Sequence, residues 1–356
     1  MRVVFRADAS IEIGIGHIMR CLTLADNLRL KNIDSIFITS SLDGNLKNYI
    51  ERKGYSAYLL YGKDKHDRGE HQLPHSRWLP VTQHDDAIEC GVIFEHYKPD
   101  WIVVDNYALD YLWEGYAKKY NCKIMAIDDL ADRVHDCDIL VDQSYGRVAD
   151  VYKKLVPDHC KILTGTKYSL IRNEFAMLRN YSLARRESGS IKRVMISMGG
   201  VDKDNFTGAI IEVLAPYIEN NDIDIDIIIG GSAPSLASVR QQLHSVSGCV
   251  RLHVDTENVA QIMAECDIAI GAAGSTSWER CCLGLPTLMF VLADNQKEIG
   301  SALEQAHAVK IIKSVSDIPS FMFGEMFSPS NLISMSVAAS GVIDGSGVDN
   351  IIGEMI

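Results

Sequence analysis

The sequence lacks three things that mark large functional classes. It has no excess of positive charge: 35 Lys and Arg stand against 47 Asp and Glu, a formal net charge of −12. Nucleic-acid and anionic-membrane binders need a basic footprint, so the balance argues against both partners. It has no unbroken apolar run near the roughly 18 residues of a membrane helix. The nearest, Cys281 to Ala293, is interrupted by Gly284 and Pro286. It has no C-x-x-C, and its nine cysteines are odd in number and irregularly spaced. Free thiols, most of them buried, are therefore expected rather than disulfides or a zinc site. The opening MRVVFRADAS has no signal-peptide core, which sets the expectation of a cytoplasmic chain, and a monomer is expected.

What is there is ordinary for a globular protein: 356 residues, 47% hydrophobic and 23% charged, enough for two domains at about 150 residues each. Short Ile- and Val-rich runs alternate with helical stretches. In the first half these are Val3–Phe5, DSIFITS from Asp34, WIVVD from Trp101, KIMAIDD from Lys123 and DILVDQ from Asp138. In the second half they are KRVMISMGG from Lys192, the DIDIDIIIGG run, VRLHV from Val250, DIAIGAAG from Asp267 and TLMFVLA from Thr287. Non-alternating apolar strands are covered on both faces, as in a parallel sheet. The polar ARRESGSIK around Ser188 reads as a linker. The expected fold is α/β: two Rossmann-like, doubly wound domains, 1–185 and 190–356, with an interdomain cleft at the carboxyl ends of the strands. Residues 62–90, with His66, His71, His75 and His84, read as a solvated loop, and Thr82 followed by Asp85 and Asp86 reads as a helix start. The D-x-D patterns at Asp136/Asp138 and Asp222/Asp224/Asp226 lie at or in strands; neither reads as a metal site, and the latter marks a strand with one wet face.

The most informative stretch is RADASIEIGIGHIMRCLTLAD from Arg6. A strand ends there, Gly14 and Gly16 permit a tight turn and close backbone approach, and a helix follows from about His17 to Leu30. This is not a full dinucleotide fingerprint. A helix N-terminus disfavours imidazolium, and Arg20 one turn on pushes the same way, so His17 is expected to be a neutral base, with Asp8 orienting it. Asp105, Asn106 and Tyr107 end another strand. They suit hydrogen bonding to a sugar, or equally a helix cap beside a packed tyrosine. In the second half Ser197, Gly199 and Gly200 end a strand, and Gly274, Ser275 and Thr276 open a helix, with backbone N–H groups fit to cradle a diphosphate. Glu279 is placed to accept both ribose hydroxyls, and Asn295 and Gln296 follow the next strand. Each loop alone is ordinary strand–helix packing; three at successive strand ends point to a nucleotide diphosphate.

With these residues in view, the chain resembles the pseudaminic-acid pathway hydrolases that release UDP from UDP-2,4-diacetamido-2,4,6-trideoxy-β-L-altropyranose. The likeness is carried by the string from Arg6, by WLPVTQHDDA from Trp78, by VVDNYALDY, by YSLIRNEF from Tyr168, and by GAAGSTSWE with ADNQ. The second half also looks like that of the lipid II-forming N-acetylglucosaminyltransferase, a two-Rossmann (GT-B) architecture. The resemblance implies His17 as general base, Arg172, Glu279 and Asn295 as ligands to the UDP-sugar, and Tyr107 near the sugar, with no cofactor and no metal. The family pattern has a proline where this chain has Asn173, and the chain beyond about Asp317 is less family-like. Two other readings follow from the same architecture: a glycosyltransferase using a UDP-sugar donor, and a non-catalytic nucleotide-sugar-binding module.

Overall fold

The computed structural model describes residues 1–61, 73–293 and 296–356. The chain divides into two compact units, Met1–Leu170 with Ser346–Ile356, and Ile171–Gly345. The first holds strands β1 (Arg2–Ala7), β2 (Asp34–Ser40), β3 (Ser56–Leu60), β4 (Trp101–Asp105), β5 (Lys123–Ile127), β6 (Ile139–Asp142) and β7 (Lys161–Thr164). They form one sheet in the order β3-β2-β1-β4-β5-β6-β7, parallel at every pairing. The second unit holds β8 (Arg193–Ser197), β9 (Asp224–Ile229), β10 (Val250–Val254), β11 (Ile268–Ala272), β12 (Thr287–Phe290) and β13 (Val309–Ile311), ordered β10-β9-β8-β11-β12-β13 and again parallel. Helices cover both faces, so central strands are buried along their whole length, as β4 is. Among the described residues no helix is long and apolar enough to cross a membrane. All nine cysteines are free; Cys249 is exposed, and six are buried.

In both sheets the strand order reverses once beside the first strand of the unit, between β1 and β4 and between β8 and β11. At such a switch point the two flanking loops leave in opposite directions and open a crevice at the carboxyl ends of the strands. The Arg6–His17 loop and Asp105 end the first pair. Ser197–Gly200 and Ala272–Thr276 end the second.

The boundary differs from the one expected at 185–190. The helix Asn173–Arg186 belongs to the second unit. Arg179 donates to the carbonyls of Ile343 at 2.8 Å and Ser340 at 2.7 Å. Arg186, which reads in sequence as part of the polar linker, is 5% exposed and donates to the carbonyls of Met263 at 2.8 Å and Cys266 at 2.7 Å. Asn173 is the first residue of that helix, the position where proline is at home, so the departure from the family pattern leaves the helix start intact. Downstream, the helix Pro329–Val342 completes the second unit, and the helix Gly347–Met355 packs into the first. Val348, Ile351, Ile352 and Met355 join the β1 core beside Ile18, Leu22 and Leu28. Ile351 is fully buried, so Ile351→Ala is expected to destabilise the first unit by about 2–5 kcal/mol. Urea denaturation followed by a probe in that unit measures it.

Candidate functional site

β1 delivers the chain into the loop Asp8–Ile15. Ser10 Oγ accepts from Ile13 N at 2.9 Å, and Gly14 adopts φ +80°, the left-handed conformation that lets the chain double back into the helix Gly16–Leu30. An added Cβ at Gly16 would meet nothing within 4 Å. His17 is the second residue of the helix and is 8% exposed. Its Nδ1 lies 2.6 Å from Asp105 Oδ1 at the end of β4. A carboxylate only accepts, so Nδ1 carries the proton, and in the neutral form of the ring the lone pair lies on Nε2. Asp105 is fully buried and also accepts from Arg20 Nε at 2.5 Å and Nη2 at 2.6 Å. Burial alone would raise the Asp105 carboxyl, but Arg20 and His17 outweigh it and hold it well below the usual carboxylate range. Arg20 also pairs with Asp129, which accepts the Tyr107 hydroxyl at 2.8 Å. Burial, then the Asp129 carboxylate, pushes the Tyr107 phenol far up, so it stays protonated. The Tyr107 and Trp78 rings meet His17 edge-on at 4.7 and 5.7 Å.

This corrects three expectations. Asp8 does not turn His17 and has no free face for a ligand. It is 1% exposed and accepts from Arg6 Nη1 at 2.7 Å, Ser40 N at 2.6 Å and Asn106 Nδ2 at 2.8 Å. Asp105 is neither a sugar ligand nor a cap but the orienting carboxylate; the cap on this loop is Asp110, which accepts from Leu112 N at 2.9 Å. Arg20 is no bare cation beside the ring, since Asp105 and Asp129 match its charge.

Residues 62–72 of the segment expected to be a solvated loop, with His66 and His71, lie outside the described residues. The rest is structured. Thr82 caps the helix Gln83–Tyr97 by accepting from Asp85 N, as the sequence suggests. Asp86, expected at the solvated start, instead points inward to Arg6 Nη2 at 2.6 Å and Trp113 Nε1 at 2.8 Å. The loop bearing Asp129 is pinned by Asp128, which accepts from Arg133 Nη1 at 2.7 Å, and by His135, whose Nδ1 lies 2.7 Å from Glu114. Burial would lower His135, but Glu114 and Asp128 prevail and raise it to about 9. A raised folded-state value contributes stability that is full below the unfolded value of about 6.5 and is lost as pH rises through about 9. The first unit is thus expected to lose on the order of 3 kcal/mol between pH 6 and pH 9.5. Urea midpoints across that range, with His135→Gln flattening the slope, test it.

In the second unit Gly199 takes φ +95° past the end of β8, and an added Cβ at Gly199 or Gly200 would meet nothing within 4 Å. After β11, Ser275 is exposed ahead of the helix Thr276–Cys282. The Gly274 N–H is not free, since it donates to Ser277 Oγ at 3.1 Å. Arg280, 1% exposed, stays beneath this loop, donating to Ala272 O at 2.8 Å, and burial brings it down to about 10. Glu279 accepts from Arg172 at 2.9 and 3.1 Å, and burial raises its carboxyl against the pull of Arg172. The two residues that the resemblance assigns to a UDP-sugar therefore pair with each other. Gln296 Oε1 accepts from Leu292 N at 2.9 Å; Asn295 lies outside the described residues. Asp226 is not on a wet face but is buried, taking Arg193, Arg251 and His253. Among the described residues no group of three or more His, Cys, Asp or Glu could hold a metal ion.

The sequence-expected residues thus fall into two groups: His17, Asp105 and Tyr107 with Gly16 in the first unit, and Gly199, Gly200, Ser275, Thr276, Glu279 and Arg172 in the second. Sequence reasoning missed Asp129 and His75. Asp129 carried a usable signal, a carboxylate at the carboxyl end of a strand. His75 carried none.

No protein-family model matches the chain. It is similar to the UDP-2,4-diacetamido-2,4,6-trideoxy-beta-L-altropyranose hydrolase of Campylobacter jejuni, 29% identical over 277 residues, covering 77% of this chain and 86% of that protein. It is also similar to the uncharacterized protein MJ1062 of Methanocaldococcus jannaschii, 24% identical over 84% of this chain, and spans 57% of that protein's length. The spore coat polysaccharide biosynthesis protein SpsG of Bacillus subtilis is 21% identical, over 83% of this chain and 79% of its own. Among solved structures, Acinetobacter baumannii MurG superposes with a TM-score of 0.66 at 13% identity over 99% of this chain and 98% of MurG. The UDP-GlcNAc 2-epimerase of Neisseria meningitidis bound to UDP-GlcNAc gives 0.64 at 15%, covering 100% and 99%. The fold is the two-Rossmann, GT-B-like α/β fold expected from the sequence.

Proposed function

We propose that the chain is an enzyme acting on a UDP-sugar, and specifically a hydrolase releasing UDP from UDP-2,4-diacetamido-2,4,6-trideoxy-β-L-altropyranose in pseudaminic acid biosynthesis. The observation that carries this reading is the His17–Asp105 pair, 2.6 Å apart at the switch point of the first sheet. The similarity to the Campylobacter jejuni hydrolase supports the substrate. His17 Nε2 takes a proton from water as the water oxygen attacks the anomeric carbon. The C1–O bond breaks, the sugar inverts, and the electron pair leaves with UDP. Asp105 stays ionised throughout and stabilises the imidazolium that forms. UDP spreads its charge over phosphate oxygens, and we assign its capture to the second unit: backbone N–H groups near Gly199, Gly200 and Ser275 for the diphosphate, Arg172 and Glu279 for the remainder. The reading includes no metal or cofactor and places the reaction in the cytoplasm on a monomer.

The test is a phosphorus and proton NMR time course with a panel of UDP-diacetamido sugars in oxygen-18 water. Label in the sugar supports attack at carbon; label in UDP overturns it. The second reading is a glycosyltransferase using a UDP-sugar donor, because the Streptomyces glycosyltransferase SsfS6 shares the fold with a TM-score of 0.58 at 12% identity. Turnover with water as sole acceptor decides against it.

A further inference from the structure

The segment before Thr82 does something the solvated-loop reading did not foresee. Leu79, 2% exposed, anchors it in the core of the first unit, and the turn Ser76–Trp78, preceded by the half-buried His75, sets the half-buried Trp78 ring beside His17. Trp78 stacks on Tyr107 with centroids 5.5 Å apart and planes 26° from parallel. His75 lies 4.7 Å from Trp78 and 5.6 Å from Tyr107. His75 Nδ1 is buried and finds no hydrogen-bond partner among the described residues. An orphaned buried polar atom is costly and calls for a reason. Here its ring packs against Trp78 and Tyr107, the two rings that meet His17, the group assigned to activate water.

We propose that His75 and Trp78 form, with Tyr107, a recognition wall for the amide-bearing hexose ring of the substrate. This inference rests on the hydrolase reading for the position of the ring. Groups this close to His17 meet the sugar whose C1 is attacked, not the uridine. An aromatic face carries negative charge density and favours the weakly positive C–H bonds of a pyranose face. The orphaned Nδ1 suits an acetamido N–H, as acceptor in one neutral tautomer, or the amide carbonyl, as donor in the other. Burial holds His75 below its ordinary value against the pull of Asp132, with Arg133, Arg77 and His17 acting in the same direction as burial, so the ring stays neutral at pH 7. A site with one aromatic face and one convergent polar atom has the make-up of a small-molecule subsite.

The test compares the UDP-diacetamido sugar with UDP itself. Trp78→Ala is expected to raise KM, and the Kd of the intact sugar nucleotide measured in a His17→Ala background, by roughly 10- to 100-fold, while kcat changes less and the Kd of UDP does not move. Trp78→Phe, which keeps a ring, recovers most of the loss. His75→Ala weakens binding of the diacetamido sugar more than that of a UDP-hexose with hydroxyls in place of amides. Saturation-transfer NMR shows the acetamido methyl and ring protons receiving magnetisation from the protein's aromatic protons, less so in Trp78→Ala. Unchanged binding in both variants overturns the wall. So does equal weakening of UDP and UDP-sugar, which means a uridine contact or a damaged fold. If no sugar in the panel is hydrolysed, the functional reading fails by itself. The wall then stands if the transfer to the intact sugar depends on Trp78, and falls if it does not.

Discussion

His17→Ala is expected to slow UDP release by roughly 10²–10⁴-fold and leave the affinity for UDP unchanged. The size follows from the role proposed for the residue: removing a proton from water while the glycosidic bond breaks, a step that otherwise falls to solvent. The unchanged affinity follows from the division of labour, since diphosphate capture is assigned to the other unit. Single-turnover rates, with UDP binding followed by calorimetry, read both. Full turnover in a variant that still binds UDP would remove His17 from the mechanism.

Asp105→Asn is expected to be nearly as damaging. The amide keeps the size of the carboxylate but can turn its NH2 toward Nδ1. The imidazole proton then moves to Nε2, and the atom proposed to activate water ceases to be a base. Arg20 also loses one of its two carboxylates. A drop on the order of 10²–10⁴ in kcat with a smaller change in KM is expected. The His17→Ala, Asp105→Asn double variant should be no slower than the worse single, because the two residues act as one unit. Strictly multiplicative losses would mean that Asp105 acts elsewhere, most simply through Arg20.

The central strands and the three glycine-bearing loops were legible because each is written in adjacent residues. The three strands that escaped notice, β3, β7 and β13, are all at sheet edges. Their burial alternates or is partial, so they lack the continuous apolar run that betrays β4. Charged residues misled in a consistent way. Asp86, Arg186 and Asp226 look solvated in sequence, yet each is buried because a partner far along the chain satisfies it: Arg6, the carbonyls of Met263 and Cys266, and Arg193. The site was half legible for the same reason. His17 announced itself through its loop, but Asp105 is 88 residues away and becomes its partner only because β4 pairs with β1. Asp8 was the nearer candidate in sequence and the wrong one, since the same sheet hands it to Arg6, Ser40 and Asn106.

The return of the helix Gly347–Met355 to the first unit bears on how the protein is made. Chains emerge from the ribosome N-terminal end first, and domains generally fold as units. The part bearing His17 is synthesised early, yet its core waits for Val348, Ile351, Ile352 and Met355, so it can close only after the other unit has been translated in full. Until then it exposes apolar surface, and a stop codon shortly before residue 347 would leave it unfinished while sparing the unit translated after it.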